Sequence, residues 1–400
     1  MFLKFAFRNL MRNKKRTFVS ALSVFFAAAL VGFAYGWING VLGLYSDGFI
    51  KYQTANLRIT TETFEAREKF MPVDEIIPNA DELIKKIKDI SGVSSVEKRV
   101  RFGILLGKDD VTVSAAGMGL DLENNSFDLK KKLIEGNITS HGIYLGYRLA
   151  RQLRLKTGEE ILLAAKTSEG GLNGIKLKVA GIFKMKMASF DKHFFFLNFA
   201  DASRLLKIHK GSPEIYVFTE NIENTENLQA QIKPLLSSGL VVRTFIEQMG
   251  GMYEMLKMMK FVYLIIEVAI LALACFVIIN TMIMAIFERM REIGTLKALG
   301  FTENNLFWIF TTEGALIGVF GGIPGAILGF VIIFIMTKTG VNLENMLSNV
   351  EMPIEYIVRP QLGITDILGI LNLAILVPVL ASMLPARYIK KYLPSEALRM

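Results

Sequence analysis

Cysteine is almost absent from this chain. Cys275 stands alone inside an apolar run, so an internal disulfide is impossible and a structural Cys-rich metal site is excluded. His141, His193 and His209 are scattered, and none has a partner at metal-ligand spacing. Charge is sparse, at 21% of residues, while apolar residues reach 52%, above a soluble norm of roughly 45–50%. No zinc-finger spacing and no aromatic-basic platform occurs, which argues against nucleic acid despite the net charge of +9. A phosphate-binding loop is missing too. Gly103–Asp109 (GILLGKD) lacks a residue between its glycines and carries Asp109 where a magnesium-binding Ser or Thr is needed, so it reads as strand and turn. The acids are dispersed as on a solvated surface. No catalytic, cofactor-binding or metal residue is expected.

What the chain does have is four stretches without Asp, Glu, Lys or Arg: Thr17–Ser46, Val268–Phe287, Gly314–Thr337 and Ile367–Ala386. Each meets the length of about 20 residues that a helix needs to cross the hydrocarbon core. Lys4, Arg8, Arg12, Lys14, Lys15 and Arg16 crowd the N-terminus with no acid among them. Arg289, Arg291 and Lys297 follow the second stretch, and Arg387, Lys390, Lys391 and Arg399 follow the fourth. The loop 338–366 holds only Lys338 and Arg359 against Glu344, Glu351, Glu355 and Asp366. By the positive-inside rule, both termini lie in the cytoplasm. The fold class is an α-helical membrane protein with four transmembrane helices, N-in and C-in, and a large α+β extracytoplasmic domain between helices 1 and 2.

Taken in order, residues 1–16 read as a cytoplasmic amphipathic basic helix that can lie on the inner leaflet, or as a plain positive flank. Residues 17–46 form transmembrane helix 1 with an external extension. Residues 47–246 form the external domain. Strand-helix-strand occurs at each of its ends: Lys51–Thr61, Asn79–Ile90 and Val93–Phe102, then Glu214–Thr219, Glu226–Leu236 and Leu240–Phe245. Together these predict a small α+β layer with a β-rich subdomain, about 103–205, inserted into it. Residues 247–287 are a stalk continuous with helix 2, with Gly250-Gly251 as a candidate break at its start. Met249, Met252, Met255, Met258 and Met259 repeat there at helical spacing, as packing against a neighbouring helix or as an adaptable surface for lipid or cargo. Residues 288–313 are a charged cytoplasmic segment, 314–337 helix 3, 338–366 a short external loop, 367–386 helix 4 and 387–400 a cytoplasmic tail. In helix 3, Gly314, Gly318 and Gly322 form one small-residue series and Gly321, Gly325 and Gly329 another. Such spacing lets helices approach closely, within the subunit or against a second one.

The run Glu288-Arg289, Arg291-Glu292-Ile293-Gly294, Leu296-Lys297-Ala298-Leu299-Gly300, Glu313-Gly314 resembles the FtsX-like, or MacB-type, permeases of bacterial ABC systems. A second likeness lies in Leu384-Pro385-Ala386-Arg387, Pro394 and Glu396-Ala397-Leu398-Arg399, and a third, external, in Gly142–Leu163 and Gly181–Leu206. The resemblance implies that Glu288, Arg289, Arg291, Glu292, Ile293, Gly294, Leu296, Lys297, Leu299 and Gly300 dock on a separate cytoplasmic ABC ATPase dimer, which alone binds ATP and magnesium. It also implies a second permease copy or paralogue, and long first and second helices that act as a lever across the bacterial inner membrane. Size and layout look most like the lipoprotein-releasing permeases, with a lipoprotein or a periplasmic acceptor as partner and membrane lipid as surroundings. The open alternatives are export of a periplasmic peptide or drug, and activation of a cell-wall hydrolase without transport.

Overall fold

The computed structural model describes residues 2–347 and 355–388. The chain divides into two compact units. The first comprises Met1–Leu42, Met255–Val341 and Val358–Met400, and the second Gly43–Glu254 and Asn342–Ile357.

In chain order, α1 (Phe2–Arg12) is followed by α2 (Lys14–Phe49), which a π-helical turn, Ile50–Thr54, closes. Then come β1 (Leu57–Thr61), α3 (Ala80–Lys88), β2 (Val93–Lys108), β3 (Val111–Leu120), β4 (Leu133–Gly136) and β5 (Ile143–Gly146). Next are α4 (Tyr147–Gln152), β6 (Glu160–Lys166), β7 (Leu172–Phe183), α5 (Ala188–His193), β8 (Phe194–Asn198) and α6 (Phe199–Leu206). The second unit continues with β9 (Glu214–Thr219), α7 (Thr225–Ile232), β10 (Leu240–Thr244) and α8 (Phe245–Met249). Last come α9 (Gly251–Glu288), α10 (Met290–Ala298), α11 (Glu303–Ile317), a π-helical turn Gly318–Gly322, α12 (Ile323–Thr339) and α13 (Ile364–Tyr388). Among the described residues, four helical segments are long and apolar enough to cross a membrane: Lys14–Thr54, Gly251–Glu288, Glu303–Thr339 and Ile364–Arg387.

Several boundaries differ from the sequence reading. The basic helix expected over 1–16 stops at Arg12, and Lys14, Lys15 and Arg16 form the first turn of α2. Backbone hydrogen bonding does not end where hydrocarbon ends, so the helix extends past its uncharged window at both sides. The same holds for the third span. It begins at Glu303, so residues 303–313 belong to that helix and the charged segment shrinks to the part before them. The stalk and the second span form one helix from Gly251 to Glu288, and the break at Gly250, φ 48°, leaves only its first residues, up to Met249, on α8. The strand expected from Lys51 starts at Leu57, because the π-helical turn and Ala55 at φ 53° come first. The tail residues Lys390, Lys391, Pro394 and Glu396–Arg399 lie outside the described residues.

In the second unit, β10-β1-β9-β2 pair antiparallel throughout and carry α3 and α7 in a split βαβ arrangement. Leu57, Ile59, Ile84, Ile87, Val217 and Ile232 fill that layer. The β-rich middle of the unit shares strand β2 with this layer. Strand β2 is long enough to leave β9 after Arg99 and pair with β3 from Val100. From there β2-β3-β8-β5-β7 continues, and β6 pairs with both β7 and β2, closing a barrel with no free edge. Its interior holds Phe102, Ile104, Leu106, Leu145, Leu163 and Phe195. The phosphate-loop lookalike Gly103–Asp109 is the end of β2 and its turn into β3.

Where layer meets barrel, β1, β2 and β9 bury a charged cluster. Arg101 bonds Glu214 through Nε at 2.9 Å and Nη2 at 2.7 Å, and Arg58 reaches Glu68 at 2.5 Å. Burial acts against the Glu68 charge, but Arg58 and Arg101 hold its carboxyl down to about 2. Its contribution is therefore complete above pH 4.5 and is lost as pH falls toward 2. Asp191 has the opposite sign. Burial pushes it up to about 6, against the backbone N–H groups of Met185 and Met187 that favour the carboxylate. Stability is then fullest below pH 3.8 and falls as pH rises to about 6. Asp191→Asn keeps an acceptor for Met185 N–H. Thermal unfolding of the full chain should show a higher midpoint for this variant above pH 6 and no difference below pH 3.8. A midpoint equal to the parent's above pH 6 would exclude a burial cost at Asp191.

In the first unit, the two glycine series of the third span serve different neighbours. A Cβ at Gly321, Gly325 or Gly329 would meet the carbonyl oxygens of Ala21, Phe25 and Ala29, at 2.2, 2.3 and 2.8 Å, so one series fits the groove of α2. A Cβ at Gly314 would meet Ser382 Oγ at 2.2 Å, and one at Gly322 would meet Ala374 at 2.7 Å, so the other fits α13. Both faces are thus filled within the subunit. Gly325→Val should cost about 1–3 kcal/mol through overpacking, read as a lower thermal midpoint in detergent. Gly43→Ala, with nothing within 4 Å, is the control that should not fall.

Candidate functional site

The segment between the second and third spans is short and well capped. Helix α9 ends at Glu288, Arg289 breaks the helical path at φ −108°, ψ 14°, and α10 begins at Met290. At its end, Leu299 N–H bonds Thr295 O at 3.0 Å, Phe301 N–H returns to Leu296 O at 3.0 Å, and Gly300 takes φ 96°. A side chain at that φ is strained, so glycine is the residue that lets the helix stop there. Phe301 then meets Phe5 of α1 edge to face, with ring centroids 6.1 Å apart. Thr302 accepts from Asn305 N–H and starts α11.

Helix α10 has two faces. Met290, Ile293 and Gly294 are buried, in a core shared with Leu10, Met282, Ile286, Leu306 and Phe310. Arg291, Glu292, Thr295, Ala298 and Leu299 are exposed, Leu299 to 74%. Leu296 and Lys297 are half-buried, and Lys297 Nζ lies 3.7 Å from Glu303.

Arg289 corrects the sequence reading most sharply. It was expected to reach outward, but it is 4% exposed. Its Nη1 lies 3.3 Å from Glu313 Oε1, and its Nη2 donates to Asn9 O at 3.1 Å. Glu313 is 1% exposed and also accepts from Asn9 Nδ2 at 2.7 Å. With its amide oxygen turned inward, Asn13 accepts from Arg289 and Arg16 at 3.2 Å each. Ile293 and Gly294, also read as docking residues, face inward because the apolar side of α10 must be covered by α1 and α11. Around this buried pair lie two exposed ones, Arg16–Glu288 at 2.9 Å and Arg12–Glu292 at 2.5 Å. Exposed pairs contribute little, about 0–1 kcal/mol. The buried Arg289–Glu313–Asn9 group is the polar link from the start of α10 to α1 and α11, beside the apolar core they share.

The sequence reading missed Asn9, Asn13 and Glu313 as members of this site. A usable signal was present: Arg289 closes one uncharged run and Glu313 opens the next. Opposite charges at corresponding ends of neighbouring spans are candidates to pair.

The methionines do not form one uninterrupted stripe. Met249 is buried at the end of α8, beyond the Gly250 break. On α9, Met252 and Met259 are half-buried, whereas Met255 and Met258 are exposed. Elsewhere, in the second unit, Glu355 accepts from Tyr52 Oη at 2.7 Å and lies 3.5 Å from Lys132. The connection between the third and fourth spans therefore shares one side of the membrane with the large domain, as four spans require.

Residues 264–394 match the FtsX-like permease C-terminal domain. Over those residues the chain is similar to the FtsX-like permease superfamily. It is 23% identical over 292 residues to the lipoprotein-releasing system transmembrane protein LolC of Xylella fastidiosa, covering 68% of this chain and 69% of that one. It is 26% identical over 288 residues to an uncharacterised ABC transporter permease of Methanocaldococcus jannaschii, covering 69% and 67%. The periplasmic region of MacB from Actinobacillus actinomycetemcomitans aligns with 51% of this chain and 95% of its own, at 12% identity and a TM-score of 0.36. Members of this superfamily are typically the non-catalytic transmembrane components of their transporters. This permease is a multi-pass inner-membrane protein with a large extracytoplasmic domain.

Proposed function

We propose that the permease takes up the motion of a separate cytoplasmic ATPase at α10 and passes it across the membrane to release lipoproteins from the outer leaflet of the inner membrane. The observation that carries this reading is the buried Arg289–Glu313–Asn9 group. A load on the exposed face of α10 reaches α1 and α11 through it, and α9 directly through the backbone. A helix held only by exposed ion pairs would yield under the same load. The excess of basic residues on α1, α10 and the tail supports a cytoplasmic position for this end.

Helices α2 and α9, of 36 and 38 residues, are each well beyond the roughly 20 residues that a span needs. Each runs on from the first unit into the second, which suits a lever. Lipoprotein as cargo is supported by the LolC relative and by energetics. Anchor burial contributes about 0.8 kcal/mol per CH₂, so pulling several acyl chains from a bilayer needs a motor. Depleting the permease should leave lipoproteins in the inner-membrane fraction. An unchanged distribution would reject this cargo while leaving the permease assignment intact.

A further inference from the structure

The break between α1 and α2 creates a feature that the coupling reading does not use. On one side of Asn13, Phe7, Leu10, Phe18, Leu22, Phe25 and Phe320 line an apolar groove of about 470 Å³, within the range of about 300–1,000 Å³ typical of small-molecule sites. On the other side, Arg12, Lys15, Arg16 and Glu288 line a polar cleft of about 480 Å³. Lys14 lines both. In the cleft, Arg12 is engaged by Glu292 and Arg16 by Glu288. Lys14 and Lys15 form no ion pair among the described residues, and both are exposed. Phe18 is 65% exposed and Leu22 37%, so the groove's rim is apolar surface left open among the described residues.

We propose that this notch binds one anionic phospholipid, with an acyl chain in the groove and its phosphate on Lys14 and Lys15. Charge complementarity selects the occupant. The site is apolar along a membrane-crossing helix and carries two unpaired cations at the end of that helix, where a headgroup lies. A zwitterionic lipid fits the groove equally well but gains less from the lysines. A second copy of the chain would bring its own Lys14 and Lys15 toward these. A lipid held here packs against α1, the helix that supplies Asn9 to Arg289. Its occupancy therefore bears on how firmly α1 is held, whichever cargo the permease moves.

The test uses the full-length permease in detergent, titrated with phosphatidylglycerol, phosphatidylcholine or inorganic phosphate and followed by native mass spectrometry. One phosphatidylglycerol per chain should be retained in preference to phosphatidylcholine, and phosphate alone should not bind. Lys14→Gln with Lys15→Gln should weaken phosphatidylglycerol about thirtyfold, from the loss of two headgroup cations. Lys4→Gln with Arg8→Gln, on the exposed face of α1, should change it less than about threefold. All four substitutions lie at exposed positions, so folding is not at stake. Equal retention of both lipids would overturn the proposal. So would equal weakening by the two double variants, which would mean diffuse attraction to an anionic surface. A dimer that excludes lipid from the notch would overturn it as well.

Discussion

Arg289→Ala should be among the most damaging single substitutions in the membrane unit. It leaves the Glu313 carboxylate at 1% exposure without its guanidinium partner and Asn9 O without its donor. Removing one member of a buried ion pair costs about 3–5 kcal/mol, because the other charge stays desolvated. Thermal unfolding in detergent should show a correspondingly large drop. Hydrogen exchange across Phe2–Arg12 should rise, since α1 loses its link to α10. Arg289→Met with Glu313→Leu removes both charges and should recover most of the stability. The α1 exchange should nevertheless stay raised, since neither replacement offers Asn9 a partner. A single variant as stable as the parent, with α1 still protected, would show that the Arg289 group does not hold the helices together.

The second large effect concerns binding rather than folding. Leu299, 74% exposed, ends α10, and Arg291 is exposed near its start. Arginine is enriched among residues that carry interface energy once covered, and burying an exposed leucine adds apolar area. Leu299→Asp with Arg291→Glu should cut recovery of the ATPase subunit on co-purification about thirtyfold or more, the scale of losing an interface hot spot. The permease's own thermal midpoint should hold, because neither side chain is in the core. The contrast with Arg289→Ala is the point: one change breaks the receiver, the other only its contact surface. Undiminished ATPase recovery would mean that docking occurs elsewhere.

The spans are legible in the sequence, and the partners of the charged segment are not. Uncharged runs give the spans directly, because a bilayer tolerates few charges over about 20 residues. The glycine series announce close helix approach, and the structure adds which neighbour each meets: Gly321, Gly325 and Gly329 match Ala21, Phe25 and Ala29 at the same spacing on α2. Direction is less legible. Arg289 and Arg291 are two residues apart and both basic, yet one is buried and the other exposed. Glu313 at the mouth of the next uncharged run points to Arg289 as the inward one, and the place of Asn9 in space completes the pairing. In the large domain, alternation identifies strands, but closure of the barrel rests on β6 reaching back to β2. That is a long-range pairing which local pattern does not encode. The short helices α5 and α6 leave little trace in the local sequence pattern for a related reason. They are short, and their helicity is decided by packing, with Phe190, Leu205 and Leu206 buried.

Cysteine-directed crosslinking tests the central claim most directly, and the chain suits it. With Cys275→Ser as background, a single cysteine is introduced by Leu299→Cys on α10 or by Met346→Cys, which is 76% exposed on the connection between the third and fourth spans. If α10 is the receiving surface, Leu299→Cys should give a covalent adduct with the ATPase subunit in native membranes, and Met346→Cys should give none. An adduct at Met346, or none at Leu299 with ATPase present and active, would contradict it.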